Sequence, residues 1–372
     1  MKILVYSNCL LDPALGSGKT RLRFSEGLRR RGHEVRVVAP PEFEFCPRLR
    51  AGKRFRLAWG AWRHARRTLA QNDYDLVEIN GGEFGWLVRL LLKRKVRPLL
   101  VHRTDGCELL AWKFAEVPAR WSARAHRALD VAAFRSVDAC VALCAADVLH
   151  LQEAIGFPPD RTRVVPPGLD DEYLAHPPPG PRPPRIAFLG SWIARKGVDV
   201  LVKAAGPVLA ERADVELDLL GTGGDPAAIK SLFPPAVAAR VHVAGRLTTA
   251  EMSARLAQAS IFVLPTRYEG YGMATAEAMA CGCAVVTTRT GFGADLHDGR
   301  DSLLVPFAAA GDFGAALERL VDDAALRLQL ATAGWTRVQS HRWDRSVAAV
   351  ESAYREWLAP RRGNRMPSEA DA

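Results

Sequence analysis

Short apolar runs alternate with segments of helical spacing along this chain, and the alternation occurs twice. The first half contains KILVYS, VRVVAP, DLVEIN and PLLVHR, and the second half contains RIAFLG, ELDLLG, VHVAG, IFVLP and AVVTT. Continuous Val, Ile and Leu runs separated by helices are typical of parallel strands that are covered on both faces. The sequence therefore predicts an α/β fold with two Rossmann-like domains, whose ligands bind at the carboxyl ends of the strands.

A proline-rich stretch separates the two series. Residues 175–184 read AHPPPGPRPP, which is too rich in proline for a helix or a strand. A chain of 372 residues also fits two domains. We predict an N-terminal domain over 1–174, a linker over 175–184, a C-terminal domain over 185–342, a helix over 343–359 and a disordered tail over 360–372.

The glycine-rich stretch LLDPALGSGKT at 10–20 follows the first strand, where a nucleotide-binding P-loop would lie. Gly18, Lys19 and Thr20 fit the second half of that motif. The first glycine of the motif is replaced by Pro13, which has a fixed φ and no N–H to offer a phosphate. The sequence therefore argues against a P-loop NTPase.

The cysteines and the apolar runs indicate the compartment. The chain has seven cysteines and no Cys-x-x-Cys pair, which favours reduced thiols over a disulfide framework or a structural zinc site. The first apolar stretch is too short for a signal peptide, and no run reaches the ~18 to 20 residues that a membrane span needs. We expect a cytoplasmic protein that is soluble or lies on a membrane surface.

Positive charge is concentrated in the first half. Residues 1–170 hold 29 Lys and Arg against 18 Asp and Glu, whereas the remainder holds 22 against 23. Within residues 48–67, which we call the basic segment, arginines alternate with tryptophans, as in surfaces that contact anionic lipid head groups. The candidate membrane or acceptor patch consists of Arg54, Arg56, Trp59, Trp62, Arg63, Arg66 and Arg67.

The basic segment also has two simpler interpretations, which stay open. The arginines could form an ordinary solvated face, and Trp59 and Trp62 could belong to the core. Because no nucleic-acid-binding motif accompanies the segment, we expect no nucleic acid partner.

Residues 261–288 carry the most specific chemistry. A buried strand ends at Pro265, a glycine-bearing loop follows, and a helix begins at about Met273. The start of such a helix offers N–H groups to a phosphate, and Glu269 and Glu277 lie on either side of it. Carboxylates that flank an anion site can bind hydroxyls on both sides of a diphosphate, which suits a nucleotide sugar.

The stretch EGYGMATAEAMACG, from Glu269 through Glu277, resembles the signature of glycosyltransferase family 4. These are retaining enzymes of the GT-B architecture, in which two Rossmann-like sheets face a central cleft. The resemblance covers nearly the whole chain. It also includes LGSWIARKGVDVLVKA, LLGTGGD, VHVAGRL, TGFGADLHDGRDSLLVP, RGHEV, DYDLVEINGG and VVPPGLDDEYL.

The resemblance implies roles for the two domains and for the residues that would bind the donor. The N-terminal domain would bind the acceptor and the C-terminal domain the nucleotide sugar. Glu269 would face the hydroxyls of the transferred sugar, and Glu277 would face the ribose. Arg195 and Lys196 would neutralise the diphosphate, together with N–H groups at Tyr271, Gly272 and Met273.

The remaining roles implied by the resemblance concern loops. Gly16 and Gly18 resemble the N-terminal glycine loop of the family, which closes over the donor phosphates and the acceptor. The segments containing Gly221, Arg246 and Leu247 would lie near the nucleotide base.

The chain departs from the family pattern at two positions. Ser191 follows Gly190 where the family often has arginine, so that Arg195 would supply the charge. Asp105 stands where many members have a histidine before a glycine. As a catalytic residue, Asp105 would orient or deprotonate the acceptor hydroxyl, or accept a hydrogen bond from the sugar.

We therefore expect a retaining glycosyltransferase of the hexosyltransferase type that uses no metal and no cofactor. It would move a sugar from an NDP-sugar to a hydroxyl of a glycan or lipid-linked acceptor, at the inner face of a membrane. Two enzyme alternatives remain, a sugar-nucleotide epimerase and a metal-dependent transferase using Asp73 and Asp75. The third alternative is a non-catalytic protein that binds a glycan or a membrane.

Overall fold

The computed structural model describes residues 1–12, 16–49, 52–85, 87, 97–106, 109 and 121–363. The chain divides into two compact units. Unit 1 comprises Met1–Pro167 and Trp343–Ala372, and unit 2 comprises Gly168–Arg342. Each unit is described separately below.

Unit 1 is built on a parallel sheet that has six strands among the described residues. The spatial order is β2-β1-β3-β4-β5-β6. Because β1 pairs with β2 on one side and with β3 on the other, the chain reverses its direction across the sheet between β1 and β3. The strands are β1 (Lys2–Ser7), β2 (Glu34–Val38), β3 (Leu76–Asn80), β4 (Leu99–Arg103), β5 (Ala139–Ala142) and β6 (Thr162–Val164).

Helices connect the strands of unit 1. A 3-10 turn, Gly82–Phe84, follows β3. The helices described here are α1 (Gly16–Arg30), α2 (Pro40–Phe43), α3 (Lys53–Gln71), α4 (Trp121–Ser136) and α5 (Ala145–Ile155).

Unit 2 contains the second parallel six-stranded sheet, in the order β12-β11-β10-β7-β8-β9. Its reversal point lies between β7 and β10, which pair with each other. The strands are β7 (Arg185–Leu189), β8 (Glu216–Leu220), β9 (Val241–Val243), β10 (Ile261–Leu264), β11 (Ala284–Thr287) and β12 (Leu303–Leu304).

The helices of unit 2 begin with recognisable caps where the sequence provides them. Thr248 and Glu251 form a capping box, in which each side chain satisfies a backbone N–H of the other residue. The helices are α6 (Asp171–Leu174), α7 (Val198–Glu211), α8 (Pro226–Lys230), α9 (Pro235–Ala238), α10 (Thr249–Gln258), α11 (Met273–Ala280), α12 (Ala310–Asp322) and α13 (Ala324–Val338). The prediction of two Rossmann-like parallel sheets is confirmed.

The last helix, α14 (Trp343–Gly363), belongs to unit 1. Val350 and Tyr354 are fully buried in the same core cluster as Ile3 and Phe24. The helix continues through Pro360 to Gly363, so the first residues of the predicted tail 360–372 are helical. Residues 364–372 lie outside the described part of the chain.

The proline-rich stretch 175–184 contains neither helix nor strand and lies within unit 2. Arg182 donates hydrogen bonds to the carbonyl oxygens of Ala257, Cys281 and Gly282. Trp335 Nε1 donates to the carbonyl oxygen of His176 at 3.2 Å. These contacts hold the stretch against the rest of unit 2. The boundary between the units therefore falls before the predicted linker, after Pro167.

Candidate active site

The central strands of unit 2 end at a cluster of charged side chains. A 3-10 turn, Ala194–Lys196, follows β7, and the loop that carries Glu269 follows β10. These neighbouring strands flank the point where the strand order reverses, which is where open α/β sheets bind ligands. The two loops that were predicted to bind a diphosphate and a sugar therefore lie at the same edge of the sheet.

Glu269 is the centre of this cluster. Its side chain is only 8% exposed, and its Oε1 lies 2.7 Å from Lys196 Nζ. The same oxygen accepts a hydrogen bond of 2.8 Å from Thr266 Oγ1, and Arg195 Nη1 lies 3.7 Å away. The structure thus brings together Glu269, Lys196 and Arg195, three of the charged residues that the sequence predicted for the donor.

Backbone contacts fix the two loops against each other. Gly197 has a φ of 69°, and a Cβ there would overlap the carbonyl oxygen of Pro265. Arg267 N donates to the carbonyl oxygen of Arg195 at 2.9 Å, and Arg195 Nη1 donates to that of Tyr268 at 2.6 Å. Because only glycine tolerates this approach, position 197 determines where Arg195 and Lys196 lie.

The two basic side chains differ in exposure. The Lys196 side chain is 13% exposed and runs past Gly190, where an added Cβ would lie 3.3 Å from Lys196 Cε. The Arg195 side chain is 46% exposed. Arg195 can therefore reach a ligand from the solvent side, whereas Lys196 holds its charge inside the site.

The loop before α11 is held by a second loop of unit 2. Tyr271 is buried, its ring stacks on Phe292 at 5.3 Å, and its hydroxyl lies 3.2 Å from His341 Nδ1. Burial and the neighbouring Arg337 lower the pKa of His341 to about 4. Because Tyr271 is anchored, the following Gly272 and Met273 present the start of α11 in a fixed position.

The other predicted donor residues lie on the same sheet. Glu277 is buried in α11, and burial together with the Glu277 charge raises the pKa of Tyr173. Gly221 follows β8, and Arg246 and Leu247 follow β9, two strands away from β7. Their roles at the ribose and the base stay predictions.

The carboxyl edge of the unit 1 sheet carries Asp105. Its carboxylate, 22% exposed, pairs with the guanidinium of Arg21, which is buried in α1. His102, one residue before the end of β4, is fully buried, and burial with the nearby Arg21 lowers its pKa to about 3. Burial thus favours the neutral form of His102, whereas the carboxylate of Asp105 is partly exposed.

The predicted glycine loop of unit 1 is only partly described. Gly16 is the first residue of α1. Gly18 is buried, and a Cβ there would lie 2.5 Å from the carbonyl oxygen of Asp12. Residues 13–15 lie outside the described part of the chain, so the proposed contact with donor phosphates stays a prediction.

A polar cluster that was not predicted from the sequence lies beyond the carboxyl ends of β1 and β3. A Cβ on Gly81 would lie 2.5 Å from Asn8 Nδ2 and 2.7 Å from Glu83 Oε2. Buried Asp130 pairs with Arg54, which also reaches Glu83 at 3.3 Å. The adjacent glycines in NGGEF are the sequence signal, because they leave room for these side chains.

The structure divides the predicted patch of the basic segment into two groups. Arg54 pairs with Asp130 and Glu83, and Arg56 is buried and pairs with Glu44 at 2.9 Å. These two arginines therefore face other parts of unit 1. The exposed arginines are Arg63, Arg66 and Arg67.

The tryptophans of the patch lie with the exposed arginines. Trp59 is 38% exposed and stacks on Trp62 with a centroid distance of 5.0 Å. The Arg66 guanidinium lies 5.0 Å from the Trp62 ring. No helix in the described ranges is long and apolar enough to cross a membrane.

The structure also locates the candidate metal motif. Asp75 Oδ2 accepts a hydrogen bond of 2.8 Å from Lys2 N, at the amino ends of β1 and β3. This is the edge opposite to Asp105 and Glu83. Among the residues that the structure describes, no three His, Cys, Asp or Glu side chains are grouped as metal ligands.

Two known families match successive parts of the chain. Residues 16–173 match the family described as Glycosyltransferase Family 4. Residues 183–323 match the family described as Glycosyl transferases group 1.

Two curated relatives are informative. The D-inositol 3-phosphate glycosyltransferase of Pseudarthrobacter chlorophenolicus is 30% identical over 329 residues, which cover 82% of this chain and 74% of the relative. A GDP-mannose-dependent monoacylated alpha-(1-6)-phosphatidylinositol monomannoside mannosyltransferase of Corynebacterium glutamicum is 31% identical over 164 residues. That alignment covers 42% of this chain and 43% of the relative.

Solved structures share the fold. Sucrose-phosphate synthase from Thermosynechococcus elongatus superposes with a TM-score of 0.77 at 21% identity, covering 96% of this chain and 99% of that one. The Anabaena protein HepE, solved in complex with UDP, gives a TM-score of 0.70 at 17% identity, covering 96% and 100%.

Proposed function

The chain belongs to glycosyltransferase family 4, and from this premise we propose that it transfers a sugar from a nucleoside diphosphate to a hydroxyl group with retention of configuration. The contact of Lys196 with Glu269 at the reversal point of the unit 2 sheet carries the proposal. A cation and a carboxylate lie together there, and we propose that the diphosphate and its sugar meet beside them.

The chemistry follows from the charges of the reaction. Breaking the bond between the anomeric carbon and the diphosphate leaves positive charge on the sugar and negative charge on the leaving group. Lys196 and Arg195, with the N–H groups at the start of α11, stabilise the leaving phosphate electrostatically. Glu269 binds the sugar hydroxyls and holds the anomeric carbon in position.

Retention is explained by attack from the same face of the sugar. The acceptor hydroxyl approaches on the side from which the phosphate departs and passes its proton to a phosphate oxygen. In this scheme Glu269 positions the sugar and forms no covalent bond to it. The nucleotide remains bound to unit 2 through Glu277 and the start of α11 until the sugar has been transferred.

In this proposal, unit 1 binds the molecule that accepts the sugar. Asp105 is held by Arg21 and remains partly exposed, so it can accept a hydrogen bond from a hydroxyl. Because the arginine fixes the carboxylate, orientation of the acceptor is its main contribution.

The names of the relatives suggest an acceptor class. One acts on D-inositol 3-phosphate and another on a phosphatidylinositol mannoside. We therefore propose an acceptor that is a hydroxyl-rich, phosphate-bearing molecule, either free or attached to a lipid. The exposed Trp59, Arg63 and Arg67 support a lipid-linked acceptor at the inner face of a membrane.

We further propose that transfer needs neither a metal ion nor an organic cofactor. Arg195 and Lys196 provide the positive charge that a divalent cation supplies to the diphosphate in metal-dependent transferases. Transfer that continues in excess EDTA supports this part of the proposal, and transfer that stops in EDTA and returns with Mg²⁺ or Mn²⁺ contradicts it.

The decisive experiment combines donor binding with turnover. Purified protein is titrated with UDP-, GDP- and ADP-sugars by calorimetry, and slow hydrolysis of each donor that binds is followed by release of the nucleotide. Glu269→Gln should lower hydrolysis by about 10² to 10³-fold, while the free nucleoside diphosphate still binds. Glu211→Gln, at an exposed carboxylate of α7, is the matched control.

Three results would contradict the proposal. They are the absence of binding to every donor by folded protein, an unchanged rate in Glu269→Gln, and isomerisation of the donor sugar without an acceptor. The last result would indicate an epimerase.

A further inference from the structure

Unit 1 contains an open pocket of about 320 Å³ between residues 42–46 and helix α3. Asp105 and its partner Arg21 are not among the residues that line it. The charged side chains and the histidine that line it are Glu42, Glu44, Arg63, His64 and Arg67, and its aromatic lining includes Phe45 and Trp59.

The walls of this pocket are fixed by contacts within unit 1. A Cβ on Gly60 would overlap the carbonyl oxygen of Phe43, so residues 43–45 lie directly against α3. Arg56 pairs with Glu44 at 2.9 Å, and Glu42 Oε1 accepts a hydrogen bond of 3.0 Å from Ala39 N. The pocket is therefore preformed, as ligand sites usually are.

The charge in the pocket is positive at its opening. Arg63 and Arg67 are exposed, whereas the Glu44 carboxylate is neutralised by Arg56. His64 lies deeper, with its Nδ1 2.9 Å from the hydroxyl of buried Tyr6. Burial, followed by the charge of Arg36 and opposed by that of Glu42, lowers the pKa of His64 and favours the neutral ring. A neutral ring can donate a hydrogen bond to a ligand or accept one from it.

Apolar side chains are exposed beside the pocket. Phe45 is 43% exposed, and Trp59 is 38% exposed, and both line the pocket. Leu49 is 59% exposed and Phe55 is 58% exposed, close by in the chain. A polar cationic pocket bordered by exposed aromatic residues matches the boundary between lipid head groups and acyl chains.

We propose that this pocket binds the phosphate-bearing head group of a membrane phospholipid. Arg63 and Arg67 bind the phosphate oxygens, and Glu42 and His64 bind head-group hydroxyls. Phe45 and Trp59 enter the interfacial layer. The inference deepens the membrane part of the proposed function, and lipid binding can be measured without sugar transfer, so each can fail alone.

The experiment uses a soluble lipid to separate a defined site from general surface charge. Full-length protein is titrated with dihexanoyl phosphatidylglycerol below its critical micelle concentration, and in parallel with inorganic phosphate. We expect one lipid to bind per chain and phosphate to bind at least about tenfold more weakly, because it lacks the glycerol and acyl contacts.

Two double variants remove the same charge from different places. Arg63→Ala with Arg67→Ala should weaken lipid binding by at least about 30-fold, since each arginine makes charge-assisted hydrogen bonds to the phosphate. Arg48→Ala with Lys53→Ala removes two exposed positive charges of the basic segment that do not line the pocket. This control should bind the soluble lipid within about twofold of the wild type. Thermal unfolding of both variants verifies that they fold.

Several results would overturn the inference. Equal loss in the two double variants would show that surface charge alone binds the lipid. Phosphate that binds as tightly as the lipid would make the pocket a plain anion site. The absence of any saturable binding by folded wild-type protein would remove the site altogether.

Vesicle flotation provides an independent test of whether the aromatic border of the pocket enters a membrane. Vesicles of phosphatidylcholine with phosphatidylglycerol should carry the wild-type protein. Trp59→Ala should reduce that association because an interfacial aromatic residue is lost. Association of Trp59→Ala equal to the wild type would contradict insertion of the pocket border.

Discussion

The two sheets of this protein differ in strand order and in the state of the charges at their carboxyl edges. Unit 2 places three strands on each side of its reversal point, whereas unit 1 places two on one side and four on the other among its described residues. In unit 1, Arg103 at the end of β4 and Glu78 in the middle of β3 form an ion pair in which each side chain is 1% exposed. At the edge of unit 2, Arg195 is 46% exposed beside Glu269.

This difference separates charges that hold the fold from charges that are available to a substrate. The hydroxyl of Tyr354 donates a hydrogen bond of 2.5 Å to Glu78, so α14 closes the ion pair of unit 1. In the proposed function, Lys196 and Arg195 instead bind the diphosphate, which would replace part of their contact with Glu269. Variants of the two clusters should therefore change different measured quantities.

The largest expected effect is on the stability of unit 1. Arg103→Met should lower the free energy of unfolding by about 3 to 5 kcal/mol, because Glu78 is left buried without its cation. Urea unfolding measures the change. Arg135→Met, at an exposed arginine of α4, is the control and should differ little from the wild type. If Arg103→Met lowers the free energy of unfolding by less than about 1 kcal/mol but abolishes turnover, Arg103 acts in catalysis and the contrast between the two units fails.

The corresponding change in unit 2 should act on catalysis. Lys196→Met keeps the aliphatic contact with Gly190 but removes the charge from the diphosphate site. We expect the rate of donor hydrolysis to fall by about 10² to 10³-fold. Stability should fall by less than in Arg103→Met, because Thr266 and Arg195 still contact Glu269. Lys203→Met, at an exposed lysine of α7, is the matched control. If Lys196→Met unfolds the protein and the surviving folded fraction hydrolyses normally, Lys196 is structural.

Acid should affect both units through buried histidines. The pKa of His341 is lowered to about 4 and that of His102 to about 3, so the unfolded chain binds these protons first as the pH falls. Stability should therefore be complete above about pH 6.5 and decrease below it, by about 2 to 3 kcal/mol for His341 on reaching pH 4.

A histidine variant assigns the acid effect to unit 2. His341→Asn should flatten the decrease in unfolding free energy between pH 6.5 and 4, since the group that takes up the proton is gone. His150→Asn, a half-buried histidine of α5, is the control. An identical pH profile for His341→Asn and the wild type would rule out this contribution.

The smallest effect tests Asp105. Asp105→Asn should lower kcat/KM for the acceptor by about tenfold, because a charged hydrogen-bond acceptor becomes a neutral one. Hydrolysis of the donor in the absence of acceptor should not change. Asp160→Asn, at an exposed site, is the control. If Asp105→Asn lowers sugar transfer and donor hydrolysis equally, Asp105 acts on the donor, and the proposed division of roles between the units is wrong.

The sequence was sufficient to predict the sheets and the core of the donor site. Apolar runs of strand length separated by helices leave few alternatives to a doubly wound sheet. Residues that directly follow such strands must lie at its carboxyl edge. The assignment of Lys196 to the same site as Glu269 came from the resemblance to the family, and the structure brings the two side chains together although 73 positions separate them in the chain.

Other features depended on contacts that the sequence does not reveal. Arg54 and Arg56 belong to an uninterrupted basic segment, but their partners Asp130, Glu83 and Glu44 lie in other elements. Likewise, nothing in the pattern of α14 indicates that Tyr354 completes the core of unit 1. Side-chain direction and long-range pairing require the fold itself.

The return of α14 to unit 1 also has a consequence for synthesis on the ribosome. The first 167 residues emerge without the helix that covers Ile3 and Phe24, and they remain without it while all of unit 2 is translated. For an insertion of roughly 175 residues, that delay is about 10 to 35 seconds at usual elongation rates. Nascent unit 1 therefore exposes apolar surface during this interval and is a natural client for chaperones that bind emerging chains.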